Sequence, residues 1–174
     1  SKIMDTARIF GCDVPFTRPA ELAEDESSVN DVILHGISEV RGYDYILLLQ
    51  PTSPLTRTAD IDGCIEALIS NHGASMVSVT AVSKSPYWMF TMQGTRLDPL
   101  MGEKYLNRRR QDLPAVYMPT GAFYLARTEW FVENKSFYAQ ETRGYVVPEA
   151  YSIDIDTPLD FKLFEVMTAD DTVS

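Results

Sequence analysis

The stretch Y-I-L-L-L-Q-P-T-S-P-L, from Tyr45 to Leu55, constrains the fold of this chain more than any other. Ile46 to Leu49 is unbroken and apolar, too short for a buried helix, and bounded by Gly42 and Pro51. It reads as a central strand covered on both faces. The polar Gln50, Thr52 and Ser53 follow at once, while Pro51 and Pro54 stop the strand and stiffen the loop. Open α/β sheets bind ligands at the carboxyl ends of their strands, so this is a candidate ligand loop. An ordinary strand-to-helix turn has the same composition, and both readings stand at this point.

Helical and strand periods alternate around that run. Ile3, Ala7 and Phe10 share a helical face closed by Gly11, and Asp13 to Thr17 is a short predicted strand. Ser28 is placed to cap a helix whose stripe is Val29, Val32, Ile33, Ile37 and Val40, with Gly42 closing it. Beyond the loop, Ile61, Cys64, Ile65, Leu68 and Ile69 repeat the spacing, and the β-branched Ser75 to Val82 is another strand. The order α-β-α-β-α-β predicts an α/β fold: a layered, mainly parallel (mixed) sheet flanked by helices. From about 83 to 119 the texture changes to a strand at Tyr87 to Met92, a Gln93-Gly94 turn and the exposed arm R-R-R-Q-D-L-P, as in an inserted subdomain. The sheet resumes with Gly121 to Ala126, a helix from Thr128 to Asn134, and strands at Tyr145 to Val147 and Ser152 to Asp156. Thr157 then caps a last helix that opens on Pro158 and is predicted to bury Leu159, Leu163, Val166 and Met167.

With 174 residues and 45% hydrophobic content, the chain reads as a single domain, 1–174, around one core. No apolar run approaches a membrane span and S-K-I-M-D-T-A-R is not a secretion signal, so a soluble cytoplasmic protein is expected. Cys12 and Cys64 sit in apolar patterns without motif spacing and are expected in the core. The net charge of −10 excludes general binding to nucleic acid or an acidic membrane, which needs a basic face. A small anionic substrate held by a few arginines remains open.

Asp154 and Asp156, two apart on a predicted strand, project to the same side roughly 7 Å apart. Two hard carboxylates so placed suit Mg²⁺, which draws its other ligands from water and substrate phosphates, although a solvated strand edge looks the same. Arg108, Arg109 and Arg110 form the one basic cluster, in which a single inward guanidinium would fix a carboxylate or phosphate while the others stay solvated. Arg18, before Pro19, is a second candidate anion ligand with the same bland alternative. His35 and His72 lack an acidic or serine partner at motif spacing, which argues against a Ser-His-Asp hydrolase.

Four stretches, R-P-A-E-L-A-E-D at 18–25, L-L-Q-P-T-S-P-L at 48–55, R-R-Q-D-L-P with P-T-G-A-F-Y within 109–124, and S-I-D-I-D-T-P-L-D at 152–160, occur together in one order. In that combination the chain resembles the acylneuraminate cytidylyltransferases, the CMP-sialic acid synthetase family that includes pseudaminate and legionaminate enzymes. The resemblance implies a Rossmann-like nucleotidyltransferase fold and transfer of CMP from CTP to the anomeric hydroxyl of a nine-carbon α-keto acid sugar, releasing pyrophosphate with Mg²⁺. By motif match, Asp154 and Asp156 would be metal ligands, Arg18 and Ser28 would touch the nucleotide, Gln50 would hydrogen-bond the sugar, Ser53 would bind substrate, and Arg110 would face the sugar carboxylate. The inserted arm would make a homodimer and carry Arg110 towards the neighbour's site.

Three departures from the family pattern are visible. Thr56 precedes Arg57 where P-L-R is usual, and Thr120 replaces the asparagine of P-N-G-A. The family's first strand and its A-R-G-G-S-K-type loop are not found in the 174 residues, so the chain is expected to be N-terminally truncated and not to turn over CTP alone. A non-catalytic sugar- or partner-binding module is the rival expectation.

Overall fold

The computed structural model describes residues 2–24 and 26–169. Helices form where the apolar spacing places them: α1 (Lys2–Ile9), α2 (Val29–Glu39), α3 (Thr58–Ser70), α4 (Thr128–Asn134) and α5 (Pro158–Ala169). The strands are β1 (Tyr45–Leu49), β2 (Ser75–Ala81), β3 (Phe90–Gln93), β4 (Arg96–Pro99), β5 (Tyr117–Arg127) and β6 (Arg143–Val146). Four of them make one mixed sheet in the order β1-β5-β2-β6, while β3 and β4 pair only with each other. That hairpin turns on two residues, the first being Gly94 at φ +61, a conformation other residues adopt at a cost.

Strand direction decides where a site can form. β5 runs antiparallel to both β1 and β2, whereas β6 runs parallel to β2. Hence β1, β2 and β6 point the same way, and their carboxyl ends meet the first half of β5 at one end of the sheet.

Each face of the sheet carries its own apolar cluster, because side chains alternate along a strand. On β5, Phe123 and Leu125 join Cys64 and Leu68 of α3, while Ala126 and the flanking Tyr124 join Phe131 of α4 and Phe137. Leu47 of β1 packs into the first cluster and Ile46 and Leu48 into the second, so this strand is covered on both faces as expected. Its position differs from the expectation. Among the described residues β1 is an edge strand, paired only with β5, because β5 and not β1 is inserted beside β2.

Other expectations are corrected. Asp13–Thr17 forms no strand; the loop is held instead by Phe16, whose ring meets His35 of α2 edge-on with centroids 5.3 Å apart. Ser152–Asp156 has no strand ladder; its Ile155 N–H donates instead to Thr52 O in the loop after β1. Cys12 is exposed and only Cys64 is buried, where burial pushes its thiol up to about 12. Phe10 lies just past α1 and is exposed; Gly11 donates to Arg8 O and Cys12 to Ala7 O, closing the helix as a Schellman turn. On α5, against the expected burial, Leu159 is 73% exposed, Leu163 and Val166 are exposed too, and Met167 is half-buried. No helix among the described residues is long and apolar enough to cross a membrane.

The two kinds of apolar residue should behave differently. Phe131→Ala, at a fully buried position, is expected to cost about 3–5 kcal/mol. Leu163→Ala, on the open face of α5, should stay within about 0.5 kcal/mol. Urea unfolding of both variants checks this, and equal losses would contradict the burial.

Candidate active site

Three segments leave the carboxyl ends of the parallel-directed strands and converge. β1 runs into Gln50–Ser53, β2 into Val82 and Ser83, and β6 into the 3-10 turn Glu149–Tyr151 and then Ser152–Asp156. Ile155 N–H donates to Thr52 O at 2.8 Å, which ties the proline-stiffened loop to the aspartate segment. From the other side Gln50 N–H donates to Ala122 O of β5 at 3.0 Å.

The first half of β5 is not a regular strand. Val77 pairs with Tyr124 and Val79 with Pro119, so residues 120–123 stand opposite Ser78 alone. Gly121 sits in this bulge at φ +80, and a Cβ there would lie 3.0 Å from Asp154 Oδ2. An isolated glycine in a strand is the sign of such a bulge and could have been read from P-T-G-A.

Thr80 to Ser83, Met118 to Gly121, Glu149, Asp154 and Asp156 line one cavity of about 470 Å³. The two aspartates therefore share a cavity, although no strand ladder aligns them. Asp154 is half-buried and its Oδ1 has no hydrogen-bond partner among the described residues, while Asp156 is exposed. Such a carboxylate oxygen, buried and unsatisfied, calls for a cation or a donor from a ligand. Among the described residues no three of His, Cys, Asp and Glu converge on a metal position. A cation here would thus take further ligands from water or substrate, the habit of Mg²⁺.

Arg110 opens a 3-10 turn, Arg110–Asp112, and lines an adjoining cavity of about 450 Å³ with Ser85 and Pro114. Ala81 and Val82 line both cavities, so their shared wall separates the arginine from the aspartates. Arg108 and Arg109 are exposed and line neither cavity. Gln50 is half-buried at the strand end, and Ser53 is buried with its hydroxyl unpartnered among the described residues. Arg18 and Ser28 are exposed and outside both linings; Ser28 is the N-cap residue of α2 but its side chain makes no cap bond. Thr120 turns inward, its hydroxyl 2.6 Å from that of Ser78.

Arg57 is committed to the protein. Its Nε and Nη2 lie 2.7 and 2.8 Å from the two oxygens of the buried Asp60, and its guanidinium stacks 3.9 Å from the centroid of Tyr151. The bond to Asp60 raises its pKa further. This clamp joins the start of α3 to the turn that leads into the aspartates, and the Arg-x-x-Asp spacing was its only sign in the sequence.

Asp160 also escaped attention. Its carboxylate accepts from Thr157 Oγ1 at 2.8 Å, from Thr157 N at 2.7 Å and from Asp156 N at 3.2 Å, and these bonds lower its pKa. Asp160 N in turn donates to Thr157 Oγ1 at 3.3 Å, a reciprocal cap that fixes the backbone of Asp156. The Thr-x-x-Asp spacing signals it.

Comparison with known proteins shows the family. No protein-family model matches the chain. It is 33% identical to a CMP-N,N'-diacetyllegionaminic acid synthase of Legionella pneumophila, over 94% of this chain and 72% of that protein. The chain belongs to the acylneuraminate cytidylyltransferase family. A pseudaminic acid cytidylyltransferase of Campylobacter jejuni is 25% identical over 95% of the chain. An N-acylneuraminate cytidylyltransferase of Streptococcus agalactiae is 32% identical over 83% of the chain, which spans 35% of that longer protein. A solved CMP:2-keto-3-deoxy-manno-octonic acid synthetase, complexed with CTP, has a TM-score of 0.66 at 13% identity over 97% of this chain and 77% of its own. This cytidylyltransferase-family chain thus has the mixed-sheet α/β nucleotidyltransferase fold.

In a chain of this family the bulge glycine can be tested directly. Gly121→Ala combines a left-handed φ with crowding against Asp154, and an ordinary L-residue there costs roughly 1–2 kcal/mol. Denaturant unfolding should show a loss of that order, whereas Gly94→Ala, with open space around it, should lose stability through backbone strain alone. A neutral Gly121→Ala would contradict the bulge geometry.

Proposed function

We propose that the protein carrying this chain transfers CMP from CTP to a nine-carbon α-keto acid sugar of the sialic, legionaminic or pseudaminic type. The carrying observation is the cavity at the strand ends in which Asp154 and Asp156 meet, with Asp154 Oδ1 buried and unpartnered among the described residues. The activities for which these relatives are named support the choice of donor and sugar class.

The reaction is an in-line substitution at the α-phosphorus. The anomeric hydroxyl oxygen forms the new P–O bond, the bond to the β-phosphate bridge breaks, pyrophosphate leaves with that electron pair, and the hydroxyl proton is lost. Asp154 and Asp156 would hold Mg²⁺, which when bound offsets the charge of the phosphate oxygens and of the leaving pyrophosphate. The chain's part is positioning. Pro51 and Pro54 hold the Gln50–Ser53 loop rigid, so the half-buried Gln50 can meet the sugar at little entropic cost, while Ser53, whose hydroxyl is buried, would act from within the loop. Arg110, across the wall formed by Ala81 and Val82, can pair bidentately with the sugar carboxylate, which orients the hydroxyl towards the aspartate cavity. Arg18 and Ser28 are assigned to the nucleotide, on the strength of their motif alone.

A homodimer is part of the proposal. The hairpin of the 83–119 segment presents Met92, Leu97 and Leu100 to solvent, an apolar surface that an arm docking on a second subunit would cover. Sedimentation of the protein would give the dimer mass, and a monomer at micromolar concentration would remove this element.

Pyrophosphate release from CTP by the protein that carries this chain, with a panel of nonulosonic acids, tests the whole reading; no release above a protein-free control with any of them would overturn it. In an active protein, Asp156→Asn should lower turnover on the order of 100-fold, the scale of losing one preorganised electrostatic group. An unchanged rate and Mg²⁺ dependence would remove the metal assignment.

Arg110→Ala should raise the KM for the sugar acid about 10- to 100-fold, the loss of a hydrogen-bonded charge pair, with little change for CTP. Equal effects on both substrates in steady-state kinetics would show that Arg110 does not recognise the carboxylate.

A further inference from the structure

The bulge in β5 creates a hydrogen-bonding problem inside the core. Opposite residues 120–123 the strand β2 offers Ser78 alone, so backbone groups of the bulge lose their ladder partners. The hydroxyls of Ser78 and Thr120, 1% and 5% exposed, supply the replacements. Phe123 N donates to Ser78 Oγ at 3.1 Å, Ser78 Oγ donates to Phe123 O at 3.0 Å, and Ala122 N donates to Thr120 Oγ1 at 3.2 Å. With the Ser78 proton used on Phe123 O, the 2.6 Å contact between the two hydroxyls must carry the Thr120 proton to Ser78 Oγ. One arrangement of protons thereby satisfies both side chains, and removing either hydroxyl strands a buried N–H.

The bulge so held does something for the site. Its Gly121 backbone stands against Asp154 Oδ2, close enough that a Cβ would lie 3.0 Å away, and Oδ1 of the same carboxylate is left without a protein partner among the described residues. Ala122 O meanwhile receives Gln50 N–H, so the same four residues also anchor the start of the Gln50–Ser53 loop. Ser78 faces the side of the sheet that packs on α3 and lines no part of the aspartate cavity.

We propose that the buried Ser78–Thr120 hydroxyl pair is a positioning element for cation binding at Asp154, acting through the Gly121 bulge. It rests on the metal reading of Asp154 and Asp156 given above. Thr120 then serves through its hydroxyl inside the protein, in the place where the family pattern has an asparagine. The pair holds the carboxylate in one orientation before any ligand arrives, so the cation is not charged with ordering it.

The test uses Mn²⁺ as a spectroscopic stand-in for Mg²⁺, titrated into the protein without substrates and followed by electron paramagnetic resonance. Thr120→Val, close in volume but lacking the hydroxyl, should weaken Mn²⁺ binding about 10-fold, the scale of losing an outer partner of a metal ligand. Thr120→Ser keeps the hydroxyl and should restore wild-type affinity. In turnover, Ser78→Ala, at a residue outside the cavity, should raise the Mg²⁺ half-saturation by the same factor while leaving the KM for CTP at saturating Mg²⁺ unchanged. Asp154→Asn is the reference. If it loses Mn²⁺ binding while Thr120→Val retains full affinity, the positioning role is overturned and the metal reading survives; if Asp154→Asn also binds normally, the metal reading fails and takes this inference with it. Should Thr120→Val not fold, amide hydrogen exchange of the wild-type protein decides: Mg²⁺ should slow exchange at Ala122 and Phe123, and unchanged rates there would overturn the proposal.

Discussion

The structure depends on one strand that runs against its neighbours. β5 enters between β1 and β2 in the opposite direction, so its amino-terminal half lies where the three other strands of the sheet end. Regular pairing along its whole length would bury that half in the ladder. The bulge at 120–123 interrupts the ladder between Tyr124 and Pro119 and sets Gly121 against Asp154, while the second half of β5 keeps register and supplies Leu125 and Ala126 to the two cores. One strand thus builds the core with one half and the wall of the cavity with the other.

Charge is distributed so that the site keeps its cationic options open. A protein of net charge −10 with two carboxylates on one cavity repels a nucleoside triphosphate unless cations intervene. Arg57 cannot help, since the buried Asp60 holds both arms of its fork. Among the described residues Arg18 and Arg110 have no ion-pair partner and stay exposed, so their charge is available to an anion without breaking an internal bond. The clamp at Arg57 works differently: by stacking on Tyr151 it holds the turn from which the aspartate segment leaves.

Much of the local structure was legible because its causes are local. Gly11 ends α1, Pro158 starts α5 under the Thr157 cap, and the Cys64–Leu68 stripe of α3 is buried, each through interactions a few residues long. The strand misread at Ser152–Asp156 shows the limit. Alternating Ile153, Asp154, Ile155 and Asp156 satisfy a strand pattern, but the segment meets the loop after β1, where Ile155 N–H finds Thr52 O, and forms no ladder. In α5 likewise Leu159, Leu163 and Val166 match a helical face and yet stay exposed.

Sequence alone determined most of the element types and the two-faced burial of β1, and it named the candidates for chemistry: two aspartates, a basic arm and a proline-stiffened loop. Those follow from period, residue chemistry and spacing, which are properties of short segments. Tertiary structure decided the sheet order, the edge position of β1, the bulge that brings Gly121 to Asp154, and the Ser78–Thr120 bridge that holds it. These rest on partners far apart in the chain, such as Ser78 and Thr120, 42 residues apart, whose meeting depends on how the strands pair and not on anything within reach of either residue along the chain.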